Sequence, residues 1–243
     1  MRTDTTPAGV RDYSAIWART RGRVIELLGS VSEDAADTPV PTVPGATIRD
    51  VIAHLVGTAT ASPETGAHTP PDAGQADRSR TLRELLDHAK SALEKVDEVV
   101  RANPTAAAFY ITDAAMCEHD LRTALDRPGA RDDDSVKVAL DELSGRFSDR
   151  VAANGLPALR VTVEQWGTII GDGRAVRCVV ADRFEFVRAM SGRRSAAEIG
   201  RWNWGVDPAL YLPVLSEAPL PVDEIHERDP RVPAHMRDRE FVL

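Results

Sequence analysis

Apolar residues recur at helical spacing through roughly the first 150 positions of the chain. The clearest stripe follows the i, i+3, i+4, i+7 and i+8 positions of one helix face and consists of Ile48, Val51, Ile52, Leu55 and Val56. Comparable stripes predict helices over residues 12–31, 82–101, 105–130 and 135–153. A loop rich in Pro, Gly and Ser interrupts them at 61–79. The pattern predicts an antiparallel helical bundle over residues 1–154.

The pattern changes after Pro157, where apolar and polar residues alternate. The alternating segments 159–163, 166–170 and 176–181, with the turn Gly171-Asp172-Gly173, predict a three-stranded antiparallel sheet. Helices are expected around 184–190 and after a capping box at Ser195–Glu198. We therefore predict an α+β protein whose second domain, residues 155–243, is small and contains an antiparallel sheet. Cys178 is expected in its core.

Three side chains from two predicted helices form a candidate metal site. Asp113 and Cys117 are four residues apart and share a helix face, since each residue advances the helix by roughly 100°. His54 lies at the rim of the stripe on the preceding helix. A histidine, a carboxylate and a thiolate suit zinc, and three protein ligands leave a position open for water or a substrate thiol. Other interpretations remain: His54 as an ordinary core or surface residue, Cys117 as a small hydrophobe, and Asp113 as a solvated carboxylate near a helix start.

Neighbouring polar residues are weaker candidates. Asp120 borders the same helix face and is expected to contact the ligands or the substrate. Arg188, Arg193 and Arg194 either bind a carboxylate substrate or lie at a solvated helix end. His119 points to the opposite side of its helix.

One isolated histidine and two tryptophans have ordinary structural interpretations. His68 is interpreted as an ordinary loop histidine. Trp202 and Trp204 are interpreted as packing residues.

Composition narrows the classes of partner. The net charge is −8 and the pI about 5.3, which argues against a nucleic-acid partner. No apolar run reaches the length of a membrane span, and the polar N-terminus lacks a signal-peptide core. The two cysteines form no disulfide framework, so we expect a reduced, cytoplasmic protein. A homodimer would be common for such a bundle, but no surface stripe specifies one.

Three stretches of the chain resemble a known family. These stretches are TIRDVIAHLVG (47–57), EHDLRTALDRPGAR (118–131) and FEFVRAMSGRRSAAEIGRWNWGVDPALYL (184–212). The first two are similar to the mycothiol-dependent maleylpyruvate isomerase-like family, which belongs to the DinB-like metal-binding four-helix bundles. The third resembles the C-terminal domain that members of this family carry. The resemblance implies a DinB-like bundle with a divalent metal, usually zinc.

The resemblance also implies which residues bind the metal. The family uses a histidine of the second helix and an acid-x-x-x-His pair of the third, and these positions fall on His54, Asp113 and Cys117. Cysteine in place of the expected histidine is a departure that either preserves the site with a thiolate ligand or marks its loss. His119 is a poor substitute because helix geometry directs it away.

Two functions follow from these observations. The first is a metal-dependent thiol transferase or isomerase that uses mycothiol, a low-molecular-weight thiol, with a small electrophilic or carboxylate substrate. His54, Asp113 and Cys117 would be the ligands, and Asp120, Arg188 and Arg193 the substrate contacts. The alternative is a non-catalytic ligand-binding protein with a degenerate metal site, which the cysteine departure favours.

Overall fold

The structure is a computed structural model that describes residues 11–63, 66–72, 74, 76, 79–164 and 166–231. Its helical part contains α1 (Tyr13–Gly29), α2 (Glu33–Ala36), α3 (Ile48–Thr60), α4 (Leu82–Ala102), α5 (Pro104–Ala124) and α6 (Asp134–Ala153). The part after it contains β1 (Leu159–Val163), β2 (Trp166–Ile170), β3 (Arg177–Ala181), α7 (Arg183–Met190), α8 (Ala196–Gly200), β4 (Asn203–Trp204), a 3₁₀ turn (Pro208–Leu210) and α9 (Leu212–Leu215). The predicted α+β class is confirmed. No helix of these described residues is long and apolar enough to cross a membrane.

Local sequence signals set where the helices begin. The Thr47 hydroxyl accepts a hydrogen bond from the Asp50 backbone N–H, and the Asp50 carboxylate accepts one from the Thr47 N–H. The same reciprocal capping box starts α8 at Ser195. Each box satisfies backbone donors that a helix start leaves free, so both predicted helix starts are confirmed.

Helix α5 lies at the centre of the helical part. It packs against α1, α3, α4 and α6. From Ala106 to Leu121 every residue except Ala108 is buried. The apolar spacing predicts one buried side for this helix, but neighbouring elements cover it on all sides. Its polar side chains therefore have to find partners inside the protein.

The sheet is mixed, so the purely antiparallel sheet predicted from the sequence is wrong. The strand order is β2-β1-β3-β4. Strands β1 and β2 pair antiparallel, with Leu159 opposite Ile170, whereas β1 and β3 pair in parallel, with Leu159 opposite Arg177. The glycine-rich corner at 171–173 therefore does not form a hairpin between neighbouring strands. It starts a connection that carries the chain to the other edge of β1.

Two apolar clusters divide the core. One lies among α1, α3, α4 and α5, and the other combines one face of α6 with the sheet, α7 and α9. Helix α6 thus belongs by sequence to the predicted bundle but buries its apolar face against the residues after 155. The boundary at 154 stays a prediction. Cys178 lies on the exposed face of β3, so its expected place in the core is wrong.

Candidate metal centre

His54, Asp113 and Cys117 converge inside the helical part of the protein. One ligand atom from each lies within 4.8 Å of the other two. Nε2 of His54 is 3.2 Å from Oδ1 of Asp113, and Sγ of Cys117 is 4.0 Å from Oδ2 of the same carboxylate. Helix α3 contributes the histidine and α5 the other two. All three side chains are buried, so the solvated interpretation of Asp113 is wrong.

Burial and mutual contact control the protonation of these groups. Burial raises the pKa of Cys117 well above its usual value, and the charges of Asp113 and Asp120 add to this effect. Burial alone would raise the pKa of Asp113, but the contact with His54 outweighs it and lowers that pKa. Burial likewise opposes a charged His54, yet Asp113 raises its pKa overall. Without a metal the three groups are therefore a thiol beside a histidine–carboxylate pair.

The donor set fits zinc. Imidazole nitrogen, carboxylate oxygen and thiolate sulfur are the atoms that bind zinc in proteins, at about 2.0–2.3 Å. Ligand atoms at such distances from one ion are roughly 3.3–3.8 Å apart in a tetrahedral site. The 3.2 Å separation of His54 from Oδ1 and the 4.0 Å separation of Cys117 from Oδ2 of Asp113 lie just outside that range, and one ligand atom of each residue lies within 4.8 Å of the others. Small side-chain shifts would complete the geometry, and a fourth position would remain open.

Asp120, Arg188 and Arg193 form a buried charge cluster next to these ligands. Oδ1 of Asp120 accepts a 2.6 Å hydrogen bond from Arg188, and Oδ2 accepts one of 2.7 Å from Arg193. Thr42 donates a further 2.7 Å bond to Oδ1. Burial would raise the pKa of Asp120, but the two guanidinium groups hold it at about 2. The interpretation of these arginines as a solvated helix end is wrong, because both side chains are almost fully buried.

The cluster extends to a carboxylate that the sequence analysis missed. Glu227 accepts hydrogen bonds from Arg188 at 2.9 Å and from Arg194 at 2.7 Å. Glu185 pairs with Arg194 as well. Glu227 lies far along a proline-rich, charged segment with no helical or strand pattern, so no local signal marked it. Only its burial against the guanidinium groups of Arg188 and Arg194 identifies its role.

His68 is part of the structure around the site, which corrects its interpretation as an ordinary loop residue. Its ring is buried and lies 4.8 Å from the ring of Phe109, one helical turn before Asp113. The His68 backbone N–H donates a 2.8 Å hydrogen bond to Glu217. Its Nε2 is 3.5 Å from Glu142 of α6. The charge of His68 contributes to the lowered pKa of Asp113.

His119 lies apart from the three ligand atoms, as helix geometry predicts, but it is not solvent-exposed. Only 3% of its surface is accessible, and Phe184 meets its ring edge-on at a centroid distance of 4.6 Å. Burial and the charges of Arg188, Arg122 and Arg131 lower its pKa to about 3. The imidazole is therefore neutral.

Comparisons with known proteins found one matching family model and two similar solved structures. A family model described as the mycothiol maleylpyruvate isomerase N-terminal domain matches residues 13–81. Among solved structures, the mycothiol-dependent maleylpyruvate isomerase is similar at 17% identity and a TM-score of 0.47, covering 74% of this chain and 88% of that one. A histidine-to-alanine mutant of the isomerase gives 16% identity with the same TM-score and coverage. A search of curated proteins found no match.

The matched residues contain α1, α3 and His54 but end before α5. The stretches at 118–131 and 184–212 lie outside the match, so the resemblance of the C-terminal part stays a prediction. The family model bears out the resemblance over part of the chain: residues 13–81 match the mycothiol maleylpyruvate isomerase N-terminal domain.

Proposed function

We propose that this protein is a metal-dependent thiol transferase or isomerase that uses mycothiol and acts on a small electrophilic or carboxylate substrate. One observation carries the metal part: buried nitrogen, oxygen and sulfur atoms of His54, Asp113 and Cys117 lie within 4.8 Å of one another. The family match supports the mycothiol part. Two helices supply the ligands, so the site depends on packing rather than on a flexible loop.

His54, Asp113 and Cys117 would hold zinc, and Cys117 would lose its proton on binding. A bound zinc ion would lower the pKa of a thiol in the open position and keep it as a nucleophilic thiolate. Asp113 stays ionised in the buried site because His54 stabilises its charge. Since imidazole binds metal only through a neutral nitrogen, His54 would release any proton that Asp113 now stabilises.

Asp120, Arg188 and Arg193 are proposed to contact the substrate. Asp120 follows Cys117 by three residues on α5, and the charges of Asp120 and Arg193 both act on the Cys117 thiol, which supports a role for this cluster beside the ligands. Arg193 donates hydrogen bonds from Nε and Nη2 to the Asp120 carboxylate, so a substrate carboxylate would have to replace one of these bonds. Guanidinium groups suit that exchange because they bind carboxylates through two parallel N–H donors.

We further propose a cytoplasmic location. The free thiols of Cys117 and Cys178 would stay reduced there. The homodimer remains a prediction.

A non-catalytic ligand-binding protein with a degenerate metal site is the alternative, and one observation favours it. His54 and Asp113 satisfy each other directly, as they would in a site that no longer binds metal.

Elemental mass spectrometry of the untagged protein would test the metal site. We expect near-stoichiometric zinc in the wild type and a sharp loss in Cys117→Ala. Cys178→Ala is the matched control, since it removes the exposed thiol of β3, and its zinc content should equal that of the wild type. Metal-loaded protein should then show mycothiol-dependent turnover of a small electrophile.

Two results would contradict the proposal. Wild-type protein without zinc, even after reloading, would indicate a degenerate site and favour the ligand-binding alternative. Zinc-loaded protein without any thiol-dependent turnover would exclude the enzyme. Zinc retained in Cys117→Ala would instead show that the third ligand is another residue.

A further inference from the structure

A cavity lies on the side of α5 that faces away from the metal ligands. Its volume is about 170 Å³. Its walls come from the end of α5, the loop after it, the start of α7 and the segment 226–228, and they include His119, Arg122, Arg131, Phe184 and Arg228. A cavity of about 150 Å³ accommodates a benzene ring. This cavity therefore has room for a compact organic molecule.

His119 gives the cavity an unused hydrogen-bonding group. The side chain lines the cavity and is 97% buried, being 3% exposed. Among the residues that the structure describes, its Nε2 has no hydrogen-bond partner. Buried polar groups are nearly always satisfied, because an unpaired one costs about 1–3 kcal/mol. An oxygen atom of a bound ligand would supply the missing partner.

The guanidinium groups around the cavity favour a ligand with acceptor oxygens. Three of them line it, from Arg122, Arg131 and Arg228, beside the carboxylates of Asp126 and Glu227. The three arginines already pair with Glu118, Glu185 and Asp126. A guanidinium has five N–H donors, so donors remain for the oxygens of a ligand carboxylate.

The remaining walls are apolar. Pro41, Pro128 and the ring of Phe184 line the same cavity. The guanidinium of Arg131 lies 4.2 Å over that ring and holds it in place. An inorganic anion would leave these walls uncovered, whereas a short hydrocarbon body would contact them.

From these features we infer that the cavity binds a small organic carboxylate with a compact apolar body about the size of a benzene ring. Its carboxylate would lie among the arginines and reach His119, and its body would pack against Phe184 and the prolines. The site is separate from the metal ligands, and the inference does not depend on the proposed function.

Benzoate is the probe for this inference, and benzamide is its uncharged counterpart. Isothermal titration calorimetry of the full chain should show saturable benzoate binding, with benzamide at least about tenfold weaker because it lacks the charge-assisted bonds. The ring ¹⁵N resonances of His119 should shift during the benzoate titration. Inorganic phosphate should bind more weakly than benzoate.

Arg228→Gln tests the rim of the cavity without disturbing its buried residues. This side chain is 38% exposed, so the variant should fold and should weaken benzoate binding by about three- to tenfold. Arg101→Gln, on the exposed end of α4, is the matched control and should bind as the wild type does. Absent or unsaturable benzoate binding, equal binding of benzamide or phosphate, an unmoved His119 resonance, or unchanged affinity in Arg228→Gln would each overturn the inference.

Discussion

Asp120 shows how a single buried residue supports the region around the candidate metal centre. Its carboxylate has no exposed surface and binds Arg188, Arg193 and Thr42 at once. Arg188 has a second carboxylate partner in Glu227, but Asp120 is the carboxylate that pairs with Arg193 in the described part of the chain. Removing this charge therefore leaves Arg193 buried and uncompensated.

Asp120→Asn is expected to destabilise the protein by about 3–5 kcal/mol, the usual cost of breaking a buried ion pair by removing one partner. Urea denaturation of both proteins would measure the difference. The matched control is Asp141→Asn, because Asp141 pairs with Arg11 at the surface with 41% of its side chain exposed. The control should change stability by about 1 kcal/mol or less. If Asp120→Asn and Asp141→Asn changed the free energy of unfolding equally, burial of the Asp120 ion pairs would make no difference to stability.

At the level of helices and strands, two glycines differ in what an added side chain would meet. Gly145 lies inside α6, and a Cβ added there would meet nothing within 4 Å. Gly171 follows β2 with φ at +80°, and a Cβ there would lie 2.6 Å from Cγ1 of Val151. The second position is where α6 and the sheet come together, so glycine is needed for both conformation and space.

The same substitution should therefore have opposite effects at these positions. Gly145→Ala should stabilise the protein by about 0.5–1 kcal/mol, since alanine favours the helix. Gly171→Ala should destabilise it by about 2–3 kcal/mol through backbone strain and overpacking against α6. Thermal unfolding followed by circular dichroism would measure both. If Gly171→Ala left the unfolding temperature unchanged, the backbone at this corner would have to relax without cost.

For the whole molecule, α6 joins the helical part to the residues after 155. Its apolar face belongs to the cluster that contains the sheet and α7, and it consists of Val136, Ala139, Leu140, Leu143, Phe147 and Val151. Phe147 meets Phe186 of α7 at a centroid distance of 6.5 Å. Ending the chain at the predicted boundary would expose this face to water.

We therefore expect a fragment of residues 1–154 to be less stable than the full chain and prone to self-association. Light scattering and thermal unfolding beside the full chain would measure both properties. Exposed apolar surface of this kind promotes association. A monomeric fragment that unfolds cooperatively near the temperature of the full chain would instead establish residues 1–154 as an independent domain.

Features that depend on neighbours along the chain could be predicted before the structure was known. The approximate positions of the long helices followed from apolar spacing, although α5 ends at Ala124 rather than at residue 130. The starts of α3 and α8 followed from their capping boxes. Asp113 and Cys117 share a helix face because four residues nearly complete one turn. These features follow from backbone geometry that repeats every few residues, so they can be derived before any packing is known.

Contacts between residues that are distant in the chain became known only from the three-dimensional structure. These contacts include the parallel pairing of β1 with β3 and the buried ion pair of Arg188 with Asp120. They also include the hydrogen bonds that Glu227 accepts from Thr123 of α5 and Arg188 of α7. The exposure of Cys178 depended in the same way on which face of the sheet α6 and α7 cover. Such contacts depend on the arrangement of whole elements around α5 and α6. Periodicity along a single element carries no information about that arrangement.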